Sequence, residues 1–271
     1  MIKSAVTIAL VPKIKTGPWI FWQKLEESMG KAANLGFDAI ELFTASGDAI
    51  KTDRLNKLLK QYKLKLAAVG TGAGKVIHGL TLTDTNRTIR KNAIAFVQEM
   101  MEFGAQFGAP AIIGSMQGNA LPGKKHSNSI GLLAEALHTL DEHAESLNVK
   151  LIYEPLNRYE TNLINTMDDA VSLIESNKFQ NITLLADLFH MNIEEADPAA
   201  SIKKHIQHIG HVHFADSNRK PVGYGHTQIQ PIASALKAFG YDGYVSAEAF
   251  PWPYPDVAAA QTIRSFKQFF K

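Results

Sequence analysis

The chain has 271 residues, of which 45% are hydrophobic and 20% are charged, and its formal net charge is +2 at pH 7. Basic and acidic residues are intermixed, which argues against a nucleic-acid partner and against an anionic membrane surface. No apolar run is long enough to span a bilayer, no signal-peptide pattern follows Met1, and there is no cysteine. We therefore expect no membrane partner and no disulfide, and the lack of cysteine fits a cytoplasmic location.

Eight predicted strand and helix units follow one another along the chain, because β-type segments alternate with segments that place apolar residues at helical spacing. The predicted strands are 3–11, 38–43, 64–70, 109–116, 149–154, 181–187, 208–215 and 243–249. The helices that follow them are 22–35, 52–62, 83–107, 128–147, 167–176, 197–206, 229–239 and 256–270. Eight such units without a linker are typical of a closed, parallel (β/α)₈ barrel. We predict an α/β protein with a single TIM-barrel domain over residues 1–271.

The glycine cluster from Gly70 to Gly74 bears on the alternative fold, a doubly wound open sheet. That fold usually carries Gly-x-Gly-x-x-Gly after its first strand, and this chain has no such motif there. No Lys-Ser or Lys-Thr pair follows the cluster and no helix is predicted directly after it. We therefore interpret it as an active-site loop rather than a phosphate cradle. Lys124 and Lys125 are interpreted as a solvated loop.

Four successive strands in the second half of the chain end in side chains that can bind metal ions. The fifth strand ends at Glu154, and the next three end near Asp187, His213 and Glu248. A strand-end carboxylate alone often caps the next helix, and a lone histidine is often a core residue. The carboxyl ends of barrel strands form one rim, however, so four in succession converge on it.

This convergence predicts one bound divalent metal ion, because buried carboxylates need a cation or hydrogen bonds to compensate them. Three carboxylates and one imidazole form a hard, oxygen-rich donor set. Such a set favours Mn²⁺ and also suits Mg²⁺ or Co²⁺, with Zn²⁺ as a further candidate.

Two motifs and one arginine surround the predicted ligands. The motifs are Glu154-Pro-Leu-Asn-Arg-Tyr-Glu160 and Asp187-Leu-Phe-His-Met-Asn192, and Arg219 follows His213 by six residues. Together with the order of the eight units, these features resemble the xylose isomerase-like TIM-barrel superfamily of sugar phosphate isomerases and epimerases. Within it they resemble most the ketose 3-epimerases for D-tagatose and for D-psicose (allulose).

The resemblance implies roles for seven residues. It implies that one divalent metal ion is bound by Glu154, Asp187, His213 and Glu248. It implies that the O1, O2 and O3 region of the substrate is held by Glu160, His190 and Arg219. Without the resemblance, Arg219 would equally be a surface arginine and His190 a side chain at a helix start.

The predicted reaction is the inversion of C3 in a small-molecule ketose. Abstraction of a proton beside a ketone builds negative charge on the carbonyl oxygen, and a metal that chelates O2 and O3 stabilises the resulting cis-enediolate. Inversion also needs an acid/base on each face of this planar intermediate. Glu154 and Glu248 come from the fifth and eighth strands, so we expect them to act as these catalytic groups as well as ligands.

Other residues near the motifs receive smaller roles. His211 precedes His213 by two residues and shares its strand face, so we expect it to lie deeper, either as a residue that supports the ligands from behind or as a core residue. We expect Trp19, Lys75 and His226 to lie on surface loops and to have no further role. The segment 251–255, Pro-Trp-Pro-Tyr-Pro, is interpreted as a lid, a contact in a homo-oligomer or an exposed turn.

Other functions fit the same barrel. A 1,2 aldose–ketose isomerase such as hydroxypyruvate isomerase, or a sugar or inosose dehydratase, would use the same metal site for a different reaction. A non-catalytic barrel would bind a sugar without turnover. An endonuclease IV type enzyme needs further histidines after the third and fourth strands, where this chain has Val69-Gly-Thr71 and Gly114-Ser-Met116. The pattern leaves open which sugar is used and whether it is phosphorylated.

Overall fold

Hydrogen bonding between the first strand and the last closes the sheet into a barrel. The computed structural model describes residues 1–123 and 125–271, so Lys124 of the expected solvated loop lies outside the described residues. The strands are β1 (Lys3–Leu10), β2 (Phe21–Trp22), β3 (Ala39–Thr44), β4 (Lys65–Gly70), β5 (Ala111–Ile113), β6 (Leu151–Tyr153), β7 (Ile182–Asp187), β8 (Ile209–His213) and β9 (Tyr244–Ala247). Neighbouring strands are parallel, and β1 pairs with both β3 and β9. The predicted closed TIM barrel is confirmed, and the short β2 is an addition beside β1.

Ten α-helices lie in the described part of the chain, and eight of them match predicted helices. They are α1 (Leu25–Leu35), α2 (Thr52–Tyr62), α3 (Ala73–His78), α4 (Arg87–Ala105), α5 (His126–Leu147), α6 (Met167–Asn177), α7 (Leu188–Glu194), α8 (Pro198–His205), α9 (Ile229–Ala238) and α10 (Pro255–Phe270). Within the described residues, no helix combines the length and the apolar character needed to cross a membrane.

The two short helices α3 and α7 are not predicted by the sequence pattern. Gly70 ends β4 and helix α3 begins at Ala73, so only Thr71 and Gly72 of the cluster form a loop, and the interpretation of the whole cluster as a loop is wrong. Helix α7 begins directly after Asp187, whose Oδ1 accepts hydrogen bonds from the backbone amides of Phe189 at 2.7 Å and His190 at 3.1 Å. An acidic residue that satisfies free amides in this way favours a helix start.

The barrel divides its side chains between an interior and a helix-facing layer, because successive strand residues point to opposite faces. The main core lies between strands and helices and includes Ile8, Leu42 and Val212. Two small apolar clusters occupy part of the interior, namely Ala5, Ala39 and Ala67, and Ala68, Ile112, Ile152 and Leu185. Towards the carboxyl ends of the strands the interior holds buried polar side chains, including Glu41, His211 and His213.

Two helix glycines give a test of the packing between helices and barrel. A Cβ added at Gly104 in α4 would lie 2.5 Å from the carbonyl oxygen of Ala109, whereas a Cβ at Gly131 in α5 would meet no atom of the described residues within 4 Å. We expect Gly104→Ala to destabilise the fold by about 1–3 kcal/mol through overpacking. Gly131→Ala should stabilise it by up to about 1 kcal/mol through helix propensity. Urea unfolding midpoints that move in the same direction would contradict this packing.

Candidate active site and metal centre

The four expected metal ligands meet at the carboxyl ends of β6 to β9. Glu154 directly follows β6, Asp187 ends β7, His213 ends β8 and Glu248 directly follows β9. All four are buried, with relative exposures between 0% and 6%. One potential ligand atom from each lies within 4.8 Å of the others. The strand ends therefore bring together the set that the sequence predicts.

The Nδ1 atom of His213 is the centre of this cluster. It lies 3.2 Å from Asp187 Oδ2, 3.4 Å from Glu154 Oε1 and 3.6 Å from Glu248 Oε2. The buried Glu154 Oε1 has no hydrogen-bond partner in the described part of the protein. Three carboxylates aimed at one imidazole nitrogen, one of them with an unpaired oxygen, fit a hard divalent cation.

Burial and neighbouring charges shift the proton affinity of these groups. Burial raises the pKa of Glu248 to about 7, and the carboxylates of Glu154 and Asp187 act in the same direction, against His213 and Arg219. Burial also opposes ionisation of Asp187, but His190 and His213 outweigh it and hold the pKa of Asp187 below its ordinary value. Glu248 is therefore the ligand-type group that can exchange a proton near neutral pH.

His190 lies against the same carboxylates and has a defined tautomer. Its Nδ1 accepts a hydrogen bond from the backbone amide of Asn157 at 3.2 Å, so the ring proton of the neutral imidazole is on Nε2. That Nε2 lies 3.8 Å from Asp187 Oδ2 and 4.0 Å from Glu154 Oε1. It makes no hydrogen bond to any described residue, so it is a free donor beside the cluster.

Arg219 links Glu248 to Glu160, so the structure brings the three expected substrate-contacting residues next to the ligand cluster. Its Nη2 donates to Glu248 Oε2 at 2.7 Å and its Nη1 donates to Glu160 Oε1 at 3.1 Å. Its guanidinium also stacks on the ring of Phe189, with 4.8 Å to the centroid. Two ion pairs and one aromatic contact hold the Arg219 side chain across the mouth of the site.

The loop that carries Arg219 is organised by the carboxylate of Asp216. This side chain is buried and accepts hydrogen bonds from the backbone amides of Ser217, Gly223, Gly225 and Thr227 at 2.8 to 3.0 Å. Arg219 itself has a φ of 58°, in the left-handed region that most residues avoid. A buried carboxylate at the centre of the loop therefore compensates an unfavourable backbone conformation at Arg219.

A cavity of about 260 Å³ opens beside the cluster. One wall is apolar and is formed by Ile14, Trp19, Phe43, Val76, Ile112 and Leu156. The expectation that Trp19 is only loop surface is wrong, because it is 9% exposed and packs against Phe43, with 5.0 Å between ring centroids. Among the described residues that line the cavity, Arg219 is the only cation.

The match to a known family agrees with this geometry. Residues 29–269 match the family described as xylose isomerase-like TIM barrel. The chain belongs to this family. The resemblance inferred from the motifs around Glu154, Asp187 and Arg219 is thereby confirmed at the level of the family.

Relatives within the xylose isomerase-like family carry epimerase names. A protein of Synechocystis sp. named probable ketose 3-epimerase is 28% identical over 262 residues, 91% of this chain and 88% of the relative. The 3-dehydro-D-guloside 4-epimerase of Escherichia coli is 30% identical over 167 residues, 59% of this chain and 64% of the relative. A solved L-ribulose 3-epimerase matches the fold with a TM-score of 0.84 at 23% identity, covering 100% of this chain and 95% of that chain. The expected enzyme class, an isomerase resembling ketose 3-epimerases, is confirmed.

Three residues that support the site are not predicted from the sequence. Glu41 is buried in the middle of β3 and contacts both His211 and His213. Gln117 donates from Nε2 to the carbonyl oxygen of Glu154 at 3.0 Å. Gly114 leaves room for the carboxylate of Glu154, because a Cβ there would lie 2.3 Å from Glu154 Oε2. Of these three residues, only Glu41 has a signal in the sequence, because it is a carboxylate within the apolar run of β3.

The raised pKa of Glu248 predicts how metal binding depends on pH. In the metal-free protein the pKa of this carboxyl is about 7, whereas its ordinary pKa, which applies to the unfolded chain, is 4.5. The protonated carboxyl therefore contributes its full stabilisation of the folded state below pH 4.5, and this contribution is lost as the pH rises through 7. A metal ion must displace the same proton. Burial lowers the pKa of His213, but neighbouring carboxylates outweigh it and raise that pKa well above its ordinary value, so a metal must displace a second proton there. We therefore expect Mn²⁺ affinity to fall by at least roughly tenfold for each pH unit below 7.

Isothermal titration calorimetry in buffers of different ionisation enthalpy measures both the affinity and the released proton. Glu248→Gln removes the titrating group, so it should bind Mn²⁺ more weakly and with a flatter pH dependence. An affinity that is constant from acidic to neutral pH in the unmodified chain would contradict this account of Glu248.

Proposed function

We propose that the chain is a divalent-metal-dependent epimerase that inverts C3 of an unphosphorylated ketose through a cis-enediolate. The observation that carries this proposal is the convergence of two glutamates, Glu154 and Glu248, from strands on different sides of the ligand cluster. Epimerisation needs two proton carriers on opposite faces of a planar intermediate. Two carboxylates beside one cavity provide such a pair.

The metal ion would be held by the four buried residues at the strand ends. We propose Mn²⁺ in the set Glu154, Asp187, His213 and Glu248, because the donors are three oxygens and one nitrogen. When bound, the ion supplies Lewis-acid stabilisation of negative charge on the substrate oxygens.

Proton transfer in this proposal belongs to the two glutamates. One carboxylate takes the C3 proton, and the other gives a proton to the opposite face of the same carbon. The pKa of Glu248 is raised to about 7 only in the metal-free protein, and a bound cation would lower it, so this value bears on metal binding and not on the proton transfer. Each glutamate has two carboxylate oxygens, so one oxygen could face the ion while the other carries the proton. Either direction of epimerisation can therefore run with the two roles exchanged.

Three further side chains would bind and orient the sugar. The free Nε2–H of His190 and the guanidinium of Arg219 can donate to oxygens that become negative in the transition state. Glu160 is partly exposed at the mouth of the cavity and can accept a hydroxyl hydrogen bond. Because these groups are held by neighbours, little reorganisation is needed during the reaction.

The cavity favours a neutral sugar over a sugar phosphate. Arg219 is the only described cation that lines it, and both Glu160 and Glu248 already pair with that arginine. A phosphate would add negative charge beside three glutamates and would lack a free cation. We therefore expect kcat/KM to be larger for free ketoses than for their 6-phosphates in a direct competition. Preference for the phosphorylated sugars would contradict this substrate class.

The position of proton exchange tests the proposed reaction. Mn²⁺-loaded protein incubated in D₂O with free ketoses should place deuterium at C3 of the product, as seen by NMR. Glu154→Gln and Glu248→Gln should each abolish net epimerisation, because one face loses its proton carrier. Label at C1 with aldose formation would favour the 1,2-isomerase, and loss of water would favour the dehydratase. Absence of turnover for every ketose tried would favour the sugar-binding barrel.

A second candidate is inversion at C4 of a 3-keto sugar. It is favoured by the likeness to the Escherichia coli relative, whose name is 3-dehydro-D-guloside 4-epimerase. The carbon beside a ketone at C3 would then exchange its proton through the same two glutamates. Deuterium at C4 of a 3-keto glycoside, without turnover of ketoses, would establish this reaction in place of C3 inversion.

Substitutions at Arg219 and His190 separate substrate binding from metal binding. Arg219→Ala and His190→Ala should keep the metal ion while reducing kcat/KM by about 10²-fold, equivalent to about 2.7 kcal/mol of transition-state stabilisation. Arg54→Ala on the exposed face of α2 is the matched control and should leave kcat/KM unchanged. Loss of metal in either active-site variant, measured by elemental analysis, would place that residue among the ligands.

A further inference from the structure

Glu41 forms a buried bridge between two histidines of β8. Its Oε1 lies 3.0 Å from His213 Nε2 and its Oε2 lies 2.7 Å from His211 Nε2. All three side chains are no more than 1% exposed. These contacts cross the interior of the barrel, because β3 and β8 are not neighbours in the ring of strands but are separated by β9 and β1.

The two ring nitrogens of His213 thus face different partners. Nδ1 faces the three carboxylates of the cluster, and Nε2 faces Glu41. Both oxygens of Glu41 are occupied by ring nitrogens, Oε1 by Nε2 of His213 and Oε2 by Nε2 of His211. A carboxylate that bridges two imidazoles accepts a hydrogen bond from each, so Nε2 of His213 carries a proton. When the ring is neutral, the lone pair of Nδ1 is then directed at the position that the proposed metal would take.

We infer that Glu41 is a positioning residue for the metal ligand His213, and that His211 holds Glu41 in this role. A carboxylate on the far nitrogen of a ligating histidine fixes its tautomer and ring orientation and makes it a stronger donor. His211 donates to the second oxygen of Glu41, so the carboxylate cannot rotate away from His213 without losing a hydrogen bond. This inference rests on the proposed metal centre and adds a residue to it.

Glu41, His211 and His213 also form a group whose ligand atoms lie close enough to hold a metal ion of their own. A second ion there would compete with the first for His213, since both ring nitrogens of that histidine would have to be metal-bound and fully deprotonated. A neutral imidazole has only one lone pair for a metal. The tautomer with a protonated Nε2 therefore predicts one ion per chain.

Metal affinity measured without substrate tests this role of Glu41. Glu41→Ala should weaken Mn²⁺ binding by about 10–100-fold in calorimetric titration, the usual effect of removing such a partner. Glu41→Gln keeps an oxygen that can accept from Nε2–H but removes the charge, so its loss of affinity should be smaller. Asp38→Asn is the matched control, because Asp38 precedes the same strand, at the opposite end of the barrel, and accepts from Ser4 N at 2.8 Å.

A spectroscopic readout distinguishes positioning from a general effect on folding. In Mg²⁺-loaded protein labelled with ¹⁵N-histidine, Nε2 of His213 should be protonated and Nδ1 should not be. Unfolding midpoints of the metal-free variants show whether each one folds, and if Glu41→Ala does not fold, Glu41→Gln carries the test.

The outcomes separate the inference from the proposed function. Unchanged Mn²⁺ affinity in folded Glu41 variants, a proton on Nδ1 of His213, or two ions per chain would each overturn the role of Glu41 and leave the epimerase proposal standing. An unmodified chain that binds no divalent ion would overturn the metal centre itself. Weakened binding in the Glu41 variants alone, with Asp38→Asn unchanged, is the expected result.

Discussion

Three carboxylates are buried around one imidazole nitrogen, and the rest of the site depends on how this charge is compensated. Each buried ion costs several kcal/mol unless partners replace water. Arg219 pairs with Glu248, the first turn of α7 donates backbone amides to Asp187, and His213 stands between them. The Oε1 atom of Glu154 has no hydrogen-bond partner among the described residues. The protein thus balances the negative charge of these three carboxylates only in part. The ends of four strands, the start of α7 and the loop with Arg219 surround this charge.

The metal-ligand candidates could be predicted from the sequence because the periodicity of the strands and the residue types at their ends indicate the same positions. Strand periodicity and strand-end polar residues together located Glu154, Asp187, His213 and Glu248, because parallel strands in a barrel end on one rim. The eight units could be counted for the same reason, since each apolar run is followed by a helical pattern. Element ends were less accurate: the predicted fourth strand runs to 116, but β5 ends at Ile113 before a 3₁₀ turn.

The part that could not be predicted depends on contacts between distant residues. Glu41 stands in the middle of an apolar strand, where sequence pattern alone cannot distinguish a buried partner of histidine from an irregularity. Trp19 lies in a loop, and only the path of that loop over the barrel brings it to the cavity. Helix α7 follows from the capping role of Asp187, which competes in the sequence with its role as a strand end.

The position of Glu41 has a consequence for how such barrels can be rebuilt. All four ligand-type residues and Arg219 lie in the second half of the chain, so a half-barrel fragment would carry a complete donor set. The hydrogen bond that orients His213, however, comes from a residue 172 positions earlier. Recombining halves from different family members would therefore succeed only when the incoming first half supplies a carboxylate at this point of its second barrel strand. The buried pair of Glu41 and His213, which joins the two halves, is thus one constraint on modular exchange in this chain, beside the contact of Gln117 with Glu154.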